Sequence, residues 1–85
     1  MKKFNYVVKD ELGIHARPAG LLAKAAQQFE SKITIESKGK SSDAKKIMAI
    51  LTMGIKCGEE VTVLFEGNDE DKACKELQKF FSEQL

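Results

Sequence analysis

The chain has no tryptophan, one proline, one histidine and two cysteines among its 85 residues. Cys57 and Cys74 lack the paired spacing of a disulfide scaffold, and a lone histidine cannot complete a zinc set. No metal or other cofactor is expected, and both thiols are expected as small buried hydrophobes in a reducing compartment. One Pro and six Gly, with 42% hydrophobic and 32% charged residues, exclude collagen-like, low-complexity and disordered chains. No apolar run approaches the ~20 residues that span a bilayer, and Met1-Lys2-Lys3-Phe4 has no apolar signal core. A cytoplasmic protein without direct membrane binding is expected. Excess charge of one sign is also missing: fourteen Lys plus Arg oppose thirteen Asp plus Glu. That balance removes any global attraction to nucleic acid, and Phe4, Tyr6, Phe29, Phe65, Phe80 and Phe81 mostly sit at core-periodic positions rather than on a stacking stripe.

What is present fits one small domain, residues 1–85. Phe4, Tyr6 and Val8 alternate with Asn5, Val7 and Lys9 as in a half-buried strand, with Val7 on the solvent side. Pro18 at a first-turn position predicts a helix from about Ala16 to Phe29, with Leu22, Ala25, Ala26 and Phe29 inward. Its opposite face carries Arg17, Gly20, Leu21, Lys24, Gln27 and Gln28. Ile33 and Ile35 mark a second strand, which turns at Lys38-Gly39 into a short polar strand ending near Ala44. A short helix over residues 47–53, stopped by Gly54, precedes a fourth strand around Val61, Val63 and Phe65. Gly67-Asn68-Asp69 reads as turn and cap before a last helix bearing Ala73, Cys74, Leu77, Phe80 and Phe81. The order βαββαβα, with one apolar stripe on each long helix, argues a two-layer α+β sandwich with one sheet face in water. Strands two and three are antiparallel through their hairpin. Strands one and two, joined by a helix, are expected to run parallel with another strand between them.

Chemistry concentrates at one place, because the only His, the only Arg and the only Pro fall within four positions: His15, Ala16, Arg17 and Pro18. Backbone amides at a helix start have no intrahelical partner and welcome an anion, and the guanidinium of Arg17 adds a forked donor suited to phosphate. Histidine titrates near ~6.5 in model peptides, so much of it is neutral at cytoplasmic pH and its ring nitrogen can attack phosphorus. The competing reading makes His15 a helix cap with Arg17 merely solvated. Asp10 and Glu11 are read only as loop carboxylates, and no Ser or Cys is locally placed for activation by His15, which argues against a hydrolase. A second unusual surface is the short helix, where Ile47, Met48, Ile50, Leu51 and Met53 exceed what one buried stripe absorbs. Either all five are core or some form a docking patch, with Leu21 and Gly20 pointing the same way. Lys24, Lys40, Lys45 and Lys46 are candidates for a basic rim around it.

The segment Gly13-Ile14-His15-Ala16-Arg17-Pro18-Ala19 resembles the active-site segment of HPr, the histidine-containing phosphocarrier family of the bacterial phosphoenolpyruvate:sugar phosphotransferase system. Lys45-Lys46-Ile47-Met48-Ala49-Ile50-Leu51-Thr52-Met53-Gly54 is similar to that family's second characteristic segment. The resemblance implies an open-faced sandwich, a four-stranded antiparallel sheet of order 1-4-2-3 with three helices on one face. It implies that His15 accepts a phosphoryl group at its δ nitrogen from phosphorylated Enzyme I, held by the amides of Ala16 and Arg17 and by the Arg17 side chain. It further implies donation to IIA domains of sugar permeases, so that the chain is a carrier in a relay rather than a free-standing catalyst. Partner docking carries over to Gly20, Leu21, Lys24, Ile47, Met48 and Leu51, and a monomer is the default. Two positions depart from many relatives. Lys46 stands where those of low-GC Gram-positive bacteria place a serine that a kinase phosphorylates, so seryl regulation is not expected. Leu12 replaces a small polar residue near the site and is expected to alter loop packing or partner preference. An alternative is a regulatory or nitrogen-branch paralogue acting as a binding modulator.

Overall fold

The computed structural model describes residues 1–85. Its elements are β1 (Lys2–Val7), α1 (Ala16–Ala26), β2 (Lys32–Ser37), β3 (Lys40–Asp43), α2 (Ile47–Thr52), β4 (Glu60–Glu66) and α3 (Glu70–Gln84). The alternation in the strands is a consequence of burial on one side only: Phe4, Ile33, Ile35, Val61, Val63 and Phe65 are inward, while Asn5, Glu36 and Glu66 are exposed. The sheet order is β1-β4-β2-β3, and every pairing is antiparallel. Because β1 and β2 each run against β4, they run parallel to one another, as the helix between them requires. Register places Phe4 opposite Val63 and Val63 opposite Ile35, so three strands contribute one continuous apolar row.

Ala19, Leu22, Ala23 and Ala26 of α1 and Ala73, Leu77 and Phe81 of α3 cover that row and complete a core of 19 residues. Phe81 meets Phe4 edge-on at 5.4 Å and Tyr6 at 5.6 Å between ring centroids, which docks α3 onto β1. The other sheet face is left to solvent, including Val7.

The first helix ends at Ala26 rather than Phe29: Gln28 and Phe29 donate to carbonyls three residues back, tightening the chain into a turn. The freed Phe29 carbonyl accepts the Lys45 ammonium at 2.7 Å, and the Gln27 side-chain amide donates to the Lys45 carbonyl at 2.7 Å. Lys45 is therefore the clasp between α1 and α2, and it leaves the proposed basic rim. Nor are the cysteines buried. Cys57 is exposed in a turn with its thiol toward the Lys9 carbonyl, and Cys74 is half-buried on the margin of α3, where burial pushes its thiol above its ordinary value.

Asp69 does precede α3, but its carboxylate makes no capping bond there. It crosses to the end of the α1 connection instead, accepting from the amides of Glu30 and Ser31 at 2.9 Å and from the Ser31 hydroxyl. The Ser31 hydroxyl, foremost among these donors, holds the carboxyl below its ordinary value. Glu70 takes over the terminal work by accepting the Gly67 amide at 3.1 Å.

Candidate functional site

The segment between β1 and α1 is held from two sides. Lys9 and Asp10 donate their amides to the Leu85 carbonyl oxygen at 2.7 and 2.9 Å, so the end of α3 anchors its start. Ile14 donates to the Ile55 carbonyl at 3.0 Å and is itself buried, which anchors its end. The supporting turn is braced in the same way: Glu59 accepts the Lys56 amide at 2.9 Å and pairs with Lys38, whose hydrogen bond holds the Glu59 carboxyl below its ordinary value. Between the anchors, Asp10 Oδ1 accepts the Leu12 amide and the Asp10 carbonyl accepts that of Gly13, both at 2.9 Å.

His15 follows this pinned loop. Its backbone is extended, with φ −95° and ψ −172°, and α1 begins at the next residue. The imidazole makes no capping hydrogen bond, which removes the reading of His15 as a side-chain cap. Only the Ala19 amide reaches the His15 carbonyl, at 2.9 Å, and the amides of Ala16 and Arg17 have no partner within the chain. His15 is 36% exposed at its side chain, and it shares a shallow depression of about 170 Å³ with Asp10, Arg17, Pro18, Leu21 and Gln84. An exposed ring nitrogen, a guanidinium and unpaired amides at a positive helix end make this depression suitable for a phosphoryl group. Larger depressions, about 570 Å³ between α1 and α3 and about 330 Å³ at the β2–β3 turn, contain neither an imidazole nor a guanidinium. Chemistry rather than size marks the smaller one.

Asp10, expected only as a loop carboxylate, places its Oδ2 3.9 Å from His15 Nε2. The Asp-x-x-Gly spacing of a turn was the available signal, but the approach to a residue beyond the turn was not encoded in it. Leu12 is 73% exposed and adds apolar surface to the loop.

Leu21 lines the depression and is exposed, as are Ile47 and Met48 of α2, the last by 74%, while Ile50 is fully buried. Leu51 and Met53 are half-buried against the core, so the apolar short helix divides between the two readings instead of following either alone. Gly20 is half-buried, and Lys24 and Lys46 are exposed on the neighbouring turns of α1 and α2. Lys46 is the residue before α2 and carries no hydrogen bond through its side chain. Lys40 instead lines the polar depression at the β2–β3 turn, away from this patch.

Comparisons with known proteins converge. Residues 2–83 match the family described as the PTS HPr component phosphorylation site. The phosphocarrier protein HPr of Mycoplasma capricolum is 43% identical over 79 residues, covering 93% of this chain and 89% of that protein. A solved mycoplasma histidine-containing phosphocarrier protein superposes with a TM-score of 0.94 at 40% identity, over 96% of this chain and 93% of the other. HPr from Thermoanaerobacter tengcongensis gives 0.88 at 38% identity over the whole of both chains, and its dimer gives 0.78 at 37% over 99% and 97%. With nearly its whole length matched in sequence and in fold, the chain belongs to the HPr family of phosphotransferase-system phosphocarriers.

Proposed function

We propose that this chain, as a single HPr-like domain of residues 1–85, is a cytoplasmic phosphocarrier. Its His15 accepts a phosphoryl group from phosphorylated Enzyme I and passes it to IIA domains of sugar permeases. The observation that carries the reading is the uncapped, exposed imidazole beside the free amides of Ala16 and Arg17. Nucleophilic attack by a ring nitrogen needs a vacant lone pair, and a side chain spent on capping would not have one. Arg17 and the two amides then stabilise the anion at no cost in rearrangement, since the helix start is already built. Gly20, Leu21, Lys24, Lys46, Ile47, Met48 and Leu51 form the partner face, with exposed methionine as an adaptable contact and lysines as a rim for an acidic partner. A monomer suits a shuttle that must leave each partner quickly.

The test is incubation with phosphoenolpyruvate and Enzyme I, followed by a panel of IIA domains. Acid-labile, alkali-stable label is expected on the chain and then on an acceptor. Labelling with no onward transfer to any IIA domain would instead favour a binding modulator, such as a nitrogen-branch paralogue.

Lys46 sets a second expectation. A lysine accepts no phosphate ester, and none of the neighbouring hydroxyls, Ser41, Ser42 and Thr52, stands at that position; Ser42 donates to the Ala49 carbonyl at 3.1 Å and Thr52 to that of Met48. Where a phosphoserine would bring about two negative charges, this chain keeps one positive charge on the partner face. The carrier is thus held in its transfer-competent form, and an HPr kinase with ATP should leave α2 unmodified by mass spectrometry. Stoichiometric phosphate on any residue of α2 would overturn this.

A further inference from the structure

The carrier reading leaves Asp10 without a task, although this carboxylate is the only acidic group lining the depression that holds His15. Three hydrogen bonds fix its position: its amide donates to Leu85, its carbonyl accepts from Gly13, and its Oδ1 accepts from Leu12, each at 2.9 Å. The remaining oxygen, Oδ2, faces His15 Nε2 at 3.9 Å. That separation is longer than a hydrogen bond and short enough for a directed electrostatic preference; such contacts commonly tighten when substrate arrives. Arg17 is the other charged group lining the depression.

A neutral imidazole carries its proton on one nitrogen and its lone pair on the other. A lone pair at Nε2 would face a carboxylate oxygen, like against like, whereas a proton there faces a negative charge. We propose that Asp10 is a positioning residue that keeps the proton of His15 on Nε2 and so leaves the Nδ1 lone pair as the nucleophile. This rests on the reading of His15 as the phosphoryl acceptor.

The step balances without moving a proton. The Nδ1 lone pair forms the bond to phosphorus, and the bond from phosphorus to the donor's leaving atom breaks with its electron pair going to that atom. The ring retains the proton on Nε2 and becomes cationic while its phosphoryl group is anionic. Asp10 lies opposite the cationic edge, and onward transfer returns the ring to the same neutral tautomer. With the proton on Nδ1, that nitrogen would have to shed it before any reaction. The carboxylate also repels an incoming phosphoryl anion from the Nε2 side, so both effects select the same nitrogen.

Asp10→Asn separates charge from structure, because an asparagine side-chain oxygen still accepts from the Leu12 amide. Long-range proton–nitrogen NMR on the unphosphorylated protein, with the ring neutral, reads the tautomer directly. The ratio of Nε2–H to Nδ1–H is expected to fall about fivefold in Asp10→Asn, the size of a unit-charge interaction near 4 Å in water. The kcat for phosphoryl acceptance should fall by a similar factor with KM for the donor protein unchanged, and the effect should shrink in high salt. Asp10→Glu should recover part of both. A tautomer ratio in Asp10→Asn within twofold of wild type would overturn the proposal, whatever happens to the rate. A wild-type chain that took no phosphate would sink the carrier reading instead, and the tautomer ratio would still decide the role of Asp10.

Discussion

Replacing His15 by alanine is expected to abolish phosphoryl uptake while leaving the fold intact. Acceptance from Enzyme I should fall by at least about 10³-fold, because the only imidazole in the chain is lost, and any acyl phosphate formed on Asp10 instead would be alkali-labile, unlike the expected label. The stability cost should stay within about 0.5 kcal/mol, since the imidazole is partly exposed and makes no hydrogen bond that alanine would lose. That separation makes the experiment decisive: circular dichroism and thermal melting should match wild type, and only the label should disappear. Arg17→Ala belongs beside it as a graded case. Losing one positioned donor to a developing anion costs about 10²-fold in comparable sites, so slow labelling should survive there. If His15→Ala labelled as well as wild type, the phosphate would sit elsewhere and the helix start would be an anion site without chemistry.

The parts of this protein that were legible in its sequence are those set by local periodicity. Ile33 and Ile35, or Val61, Val63 and Phe65, reveal a strand because one side of the sheet is buried and the other is wet. His15 and Arg17 were legible because each is the only residue of its kind and Pro18 marks the helix start between them and the core. The strand order follows only in outline from connectivity, since β4 enters between β1 and β2 by contacts between residues far apart in the chain. The contacts that escaped share this property. Lys45 reaches the Phe29 carbonyl from 16 positions away, and Asp69 is diverted from its helix by Ser31, a partner 38 positions away. Neither leaves a trace in propensity, because a lysine in a turn and an aspartate before a helix each have an adequate local explanation. Cys57 is the same lesson in reverse: its residue type favours burial, while the turn that holds it faces water.

Gly13→Ala should be among the most destabilising single changes in the chain, although glycine contributes no side chain to any core. Two effects coincide at this residue. Its φ of +68° costs an L-residue about 1–2 kcal/mol. A Cβ there would also run into the Ile55 carbonyl and stand 2.8 Å from the Lys56 Cα, both backbone atoms that no rotamer change can move aside. Overpacking of this kind adds about 1–3 kcal/mol, so a total of about 3 kcal/mol is expected. For a domain of this size that lowers Tm by roughly 12–24 °C. Gly39→Ala is the internal control, because its φ of +76° carries the same conformational cost with nothing within 4 Å. Its Tm should fall by about half as much. Gly20 has neither problem, being helical with open space around it, and Gly20→Ala should raise stability by about 0.8–1 kcal/mol. The steric part of the Gly13 effect also acts on function, because relief of the clash would move the loop off residues 55–56 and break the Ile14 to Ile55 bond beside His15. Gly13→Ala should therefore lose phosphoryl acceptance even at temperatures where it remains folded, whereas Gly39→Ala should not. Equal Tm losses in the two variants would mean that the close approach to Ile55 contributes nothing, and that the anchor of the His15 loop lies at Leu85 alone.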